Sequence, residues 1–145
     1  MSQFALRSPS DKVDGLVHFG RMLDKIRAHA RGELPAEYQP NLGKGFDGSC
    51  VEFLGVDYDD IVAQVKQDQS DEQVLEWCRR NGKQRTASEV QIWNEWMRKR
   101  GWRDEITPTL ERRKRESAFA GRDEIQTMFD YIDADEGRPL SSMAE

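Results

Sequence analysis

The stretch TASEVQIWNEWMRKRG (residues 86–101) decides the fold. On a helix at 100° per residue, Ile92, Trp96, Trp93, Met97 and Val90 fall in one arc roughly 160° wide. Asn94, Arg98, Gln91 and Glu95 fill the other side. Thr86 or Ser88 can cap the start, and Gly101 stops the run. The pattern predicts a helix with rings toward a core and charge toward solvent. Base-stacking tryptophans would need to stand exposed beside the cations. Here the two classes are segregated, so Trp93 and Trp96 are expected to be packing residues. Trp102 lies past the stop glycine, beside Arg100 and Arg103, and is expected to serve as a lid or pocket wall.

Working outward, the punctuation stays helical. Met22, Leu23, Ile26 and Ala30 recur at helical spacing until Gly32 and Pro35 end the run. Residues 35–45 read as a loop, and Asp47 to Leu54 as a short helix closed by Gly55. Asp57 can cap a helix that buries Ile61, Val62 and Val65. Ser70 and Gln73 form a capping box ahead of Val74, Leu75, Trp77 and Cys78. Thr107 and Pro108 have the cap-then-proline order of a helix start. A last helix is expected over "RDEIQTMFDYIDADEG" (122–137), with Ile125, Met128, Phe129 and Ile132 on one face. No run alternates with period two for long enough to propose a sheet. The fold expected is all-α: a compact, bundle-like array of about six or seven short helices. It would form a single domain over 1–145, with an N-terminal arm over 1–12 and a flexible tail over 137–145.

Composition narrows the function. The net charge is −5, which disfavours a general binder of nucleic acid. Residues 79–122 hold 13 Lys or Arg against 6 Asp or Glu, a local charge of +7, so the remainder carries −12. Such asymmetry fits internal charge pairing or a site for a small anion. "ERRKRE" (111–116) reads as a solvated helix face, because Glu111 with Arg115 and Arg112 with Glu116 are i,i+4 pairs. No apolar run approaches 18 residues and no signal peptide is visible, so a cytoplasmic protein without a membrane span is expected. Cys50 and Cys78 sit in apolar patterns and read as buried, reduced thiols. The His and Cys spacings match no metal site, so neither metal nor cofactor is expected.

The polar stripe on the first helix carries more chemistry. Arg21, Lys25 and His29 recur every four residues, with Asp24 within reach of Arg21 and Arg27. The plain reading is a solvated face of weak ion pairs. The sharper one is an anion site: the arginine fork fixes a carboxylate or phosphate, lysine adds charge, and histidine can exchange a proton near neutral pH. "GKGFDG" (43–48) reads as a turn into a helix. "DYIDADEGR" (130–138) gathers Asp130, Asp133, Asp135 and Glu136, and is expected to pair with the basic 98–115 region.

Five segments, LRSPSDKVDGLVHFGRMLDKIRAH (6–29), NLGKGFDGSCVEFLGV (41–56), VLEWCRRNGK (74–83), IWNEWMRKRGWRDE (92–105) and DEIQTMFDYIDADEGR (123–138), together resemble the bacterial domain-of-unknown-function family 5069. The resemblance covers nearly the whole chain and implies a single-domain bacterial protein, with no assigned reaction. Gly20 stands where many relatives carry proline, and Ser49 where many carry arginine. The function expected is binding of a small anionic ligand or a partner protein through a polar pocket. The candidate site residues are Arg21, Asp24, Lys25, His29, Asp47, Cys50, Arg100, Trp102, Arg103 and Asp104. An alternative is a small enzyme using His29 or Cys50 in acid–base or nucleophilic work. A further alternative is a protein–protein interaction module.

Overall fold

A computed structural model describes residues 5–140. A two-stranded hairpin, β1 (Lys12–Val13) and β2 (Leu16–Val17), precedes α1 (Phe19–Ala30). A 3-10 helix (Ala36–Asn41) leads to α2 (Phe46–Leu54), α3 (Tyr58–Val65), α4 (Asp71–Asn81), α5 (Ala87–Lys99), α6 (Thr107–Glu116) and α7 (Met128–Asp135). The architecture is mostly α.

The caps fix where the helices begin. Ser70 with Gln73 and Thr86 with Glu89 both form reciprocal capping boxes, on α4 and α5. At the end of α4, Gly82 lets the chain press against the end of α2. A Cβ there would lie 2.1 Å from the Leu54 carbonyl oxygen. That approach carries the bond from the Lys83 N–H to Leu54 O, 2.8 Å. Gly101 does the same between α5 and α7 with φ +100, and the Met128 N–H donates to Arg100 O at 2.8 Å.

The principal core gathers Val17, Phe19, Met22, Leu23, Ile61, Val74 and Met97, all fully buried. Each such side chain contributes about 1.5–3 kcal/mol relative to exposure. A second, smaller core holds Leu110, Ile125, Met128 and Leu140 under α6 and α7. Phe46 packs on both, and its ring meets Phe129 edge-on at 5.2 Å.

Several expectations need correction. The hairpin was not expected, yet its turn is Asp14–Gly15, with φ 45 and 85. Positive φ at both central residues is what a type I′ turn requires, and Asp-Gly is its favoured pair. The strands are simply too short to show alternation. The buried arc of α5 is also turned by roughly 60° at 100° per residue. Trp93 (9% exposed) and Met97 (0%) face inward, but Trp96 (44%) and Ile92 (67%) do not. Asn94, expected in solvent, is buried at 7%. The last helix starts at Met128 rather than near 122, because Thr127 adopts an extended conformation and caps it. Thr107 does not cap α6, which opens after Ile106. Its hydroxyl instead donates to Gly101 O at 2.8 Å and accepts from the Asp104 N–H at 2.9 Å.

The ends of the described chain are tied down. The Ser8 hydroxyl donates to Asp133 at 2.7 Å, and Arg138 donates to Leu6 O. Arg138 and Leu140, expected in a flexible tail, are therefore held; the rest of that tail, 141–145, lies outside the described residues.

Candidate functional site

The site is built around the start of α1. His18 joins β2 to α1 in the left-handed conformation, φ 67, which costs a residue with a Cβ roughly 1–2 kcal/mol. Its ring is 2% exposed, and Nε2 lies 2.8 Å from Asp47 Oδ1 on α2. The other Asp47 oxygen meets Lys25 Nζ at 3.0 Å and accepts from the Gly43 N–H at 3.1 Å. Asp47 is fully buried.

Electrostatics assign the protons. Burial pushes His18 below the usual imidazole value, and the charges of Lys25 and Arg21 push the same way; Asp47 opposes them without prevailing. Burial alone would raise Asp47, but the His18 hydrogen bond and the Lys25 charge outweigh it and hold the carboxyl low. The arrangement is therefore a neutral imidazole donating Nε2–H to an ionised carboxylate that Lys25 neutralises. In that tautomer Nδ1 carries a bare lone pair. Nδ1 is buried and has no hydrogen-bond partner among the described residues.

One turn along α1, Arg21 grips Glu136 with both terminal nitrogens, at 2.9 and 2.7 Å. Tyr38 Oη donates to the same carboxylate at 2.9 Å, and Arg138 meets it at 2.6 Å. Burial would raise Glu136; Arg21 holds it low. Burial first, then Glu136, pushes the Tyr38 hydroxyl up to about 12.

Between these groups and the ends of α5, α6 and α7 lies a cleft of about 530 Å³. His18, Arg21 and Lys25 form one wall. Phe46, Trp96 and Tyr131 supply rings. Lys44, Arg100 and Arg113 bring positive charge, and Glu37 and Asp135 bring negative charge. Arg100 lies over the Trp96 ring at 5.0 Å and reaches Asp104 at 3.3 Å. Burial, then the charges of Glu136 and Glu37, pushes Asp135 above the usual carboxylate range.

The cleft gathers some of the sequence-derived residues and leaves out others. Arg21, Lys25 and Arg100 line it, and Asp47 stands directly behind. Asp24 turns away to Arg7 at 3.0 Å and Arg27 at 3.9 Å. His29 is exposed and is not part of the cleft lining. Cys50 is fully buried in the core, where burial pushes its thiol far up. Trp102 stands over a separate depression of about 200 Å³ beside Arg98 and Lys99. Arg103 stacks on Trp102 at 5.0 Å. Asp104 closes the α5–α6 turn, accepting from the N–H groups of Gly101 at 2.9 Å and Ile106 at 3.0 Å. At the acidic end of α7, Glu136 meets Arg21 and Arg138, and Asp133 meets Arg138.

Sequence reading missed His18, Tyr38, Trp96, Arg113 and Glu136. The Arg21–Lys25 stripe lines the cleft, but its continuation differs from the one expected. It runs back one turn to His18 rather than forward to His29, and the apolar neighbours Val17 and Phe19 disguised that histidine as core.

A family model described as domain of unknown function (DUF5069) matches residues 3–138. The chain belongs to the DUF5069 family. No curated protein matches it. Within this DUF5069 chain the match spans every residue of the cleft named above. Among the described residues, no helix is long and apolar enough to cross a membrane.

Proposed function

We propose that the cleft binds a small anionic ligand carrying a carboxylate or phosphate. One observation supports this above the others. Lys44 and Arg113 line the cleft with no ion-pair partner among the described residues, whereas Arg21 and Lys25 are neutralised by Glu136 and Asp47. Two cations facing a concave surface without partners attract an anion, and Arg113 can fork onto two of its oxygens. Trp96, fixed beneath Arg100, covers the ligand with its face. Glu37 and Asp135, also in the lining, accept hydrogen bonds from donors on the ligand. The setting proposed is the cytoplasm, in keeping with two buried free thiols.

The enzyme alternative built on His29 and Cys50 gains no support from this geometry, since one is exposed and the other sealed in the core. A thermal-shift screen of the full chain against phosphorylated and carboxylated metabolites tests the binding proposal. A ligand at 100 times its dissociation constant adds about 2.7 kcal/mol. In Arg113→Gln the same ligand concentration should add about 1.4 kcal/mol or less, as a tenfold loss of affinity requires. A flat response across both classes overturns the proposal.

A further inference from the structure

We infer that the anion bound in this cleft also carries a hydroxyl group, and that His18 Nδ1 is the acceptor that recognises it. The inference rests on the binding reading just given and narrows its ligand class. Three observations converge on His18. His18 lines the cleft, yet the residue is 2% exposed and its Nδ1 is buried, so that lone pair is withdrawn from bulk water. Nε2 is committed to Asp47 at 2.8 Å, which leaves Nδ1 as the free position. Nδ1 has no partner among the described residues, although buried polar atoms are nearly always bonded.

The chemistry of the missing partner follows from the proton assignment. Asp47 is tied to Lys25 and to the Gly43 N–H, so it stays an acceptor and keeps the proton on Nε2. A ligand atom reaching Nδ1 must therefore donate. A fully ionised carboxylate or phosphate oxygen cannot. A hydroxyl can, and it is neutral, so it adds no charge beside Lys25 and Arg21. The neighbouring ring agrees: Phe46 packs against the imidazole at 5.7 Å and offers no polar atom to compete. The left-handed backbone of His18 (φ 67) fixes the ring at the mouth of α1 instead of letting it follow the helix face. This makes His18 a specificity-determining residue, with Asp47 the positioning residue that sets its tautomer.

A site built to bond a hydroxyl rejects the analogue that lacks it far more strongly than an apolar pocket distinguishes a methylene, because the buried acceptor is left unpaired. The test uses matched probes on the full chain: glycerol 3-phosphate against propyl phosphate, and malate against succinate, measured by calorimetry. In at least one pair the hydroxylated member should bind tenfold or more tighter. In long-range 1H–15N spectra of the wild-type protein, the His18 Nδ1 resonance should move with the hydroxylated probe and stay with its partner. That readout needs no variant, so a misfolded His18 substitution cannot obscure it. His18→Gln should lower the preference within the responsive pair below threefold. Equal affinity within both pairs overturns the hydroxyl inference and leaves anion binding standing. No binding by any of the four probes overturns both.

Discussion

Asn94 on α5 grips the hairpin turn from two sides. Its side-chain oxygen accepts from the Val17 N–H at 3.2 Å, and its amide donates to Gly15 O at 2.7 Å. One polar residue inside an otherwise apolar contact thus sets how α5 is rotated against β2, and hence which tryptophan enters the core. Asn94→Leu would keep the volume and abandon the buried Val17 N–H and the part-buried Gly15 carbonyl. It should destabilise the fold by about 1–3 kcal/mol, the cost of leaving the buried Val17 N–H unpaired. Urea unfolding measures this, and a loss under 0.5 kcal/mol would remove Asn94 from that role.

The two tryptophans of α5 should behave as opposites. Trp93 is 9% exposed and lies flat on Phe53, centroids 4.8 Å apart. Trp93→Ala should cost about 3–5 kcal/mol. Trp96 is 44% exposed, so Trp96→Ala should change stability by less than about 1 kcal/mol while weakening anion binding. Equal stability losses would mean that the rotation of α5 is misassigned.

Asp47→Asn leaves Lys25 buried without its counter-charge. Breaking one side of a buried pair costs about 3–5 kcal/mol, and the loss should appear as a lowered denaturation midpoint. The double variant Asp47→Asn with Lys25→Met should recover part of it. A double variant no better than the single one would show that Lys25 and Asp47 are not energetically coupled.

Acidification should weaken the fold in two stages. His18 is held below its ordinary value, so the unfolded chain takes up a proton first. Its contribution is complete above about pH 6.5 and drains as the pH falls from there toward the folded value. Asp47 and Glu136, also held low, contribute above about pH 4 and lose that contribution below it. Denaturant midpoints across pH 8 to 3 read both stages. A midpoint that stays level from pH 7 to pH 5 would contradict the neutral assignment of His18.

Arg113 is only partly buried and forms no ion pair among the described residues. Arg113→Gln should leave the unfolding midpoint within about 0.5 kcal/mol of the parent and reduce anion affinity tenfold or more. A variant that binds as the parent does places the anion elsewhere.

The helices were legible because their signals are local. Ser70 with Gln73 and Thr86 with the residues after it state their caps within four positions. Gly55 and Gly101 mark their stops in the same way. The rotation of α5 was not legible, because it depends on Asn94 meeting Gly15 and Val17, 79 and 77 positions away. The cleft was half legible for the same reason. Arg21 and Lys25 announce themselves by spacing on one helix. Their partners Glu136 and Asp47 come from other helices, and nothing local in the sequence couples them. Trp102 drew notice through its charged neighbours, but the turn held by Asp104 swings it over a different surface.

The bonds from Ser8 to Asp133 and from Arg138 to Leu6 join positions 125 and 132 residues apart. Loops of that length close at a high entropic cost and are repaid only when everything between them is in place. The arm and the segment after α7 therefore behave as one latch. Trimming residues 1–8 removes the Leu6 anchor and leaves Arg138 to its pairs with Asp133 and Glu136, so trypsin should cut there faster than in the parent chain.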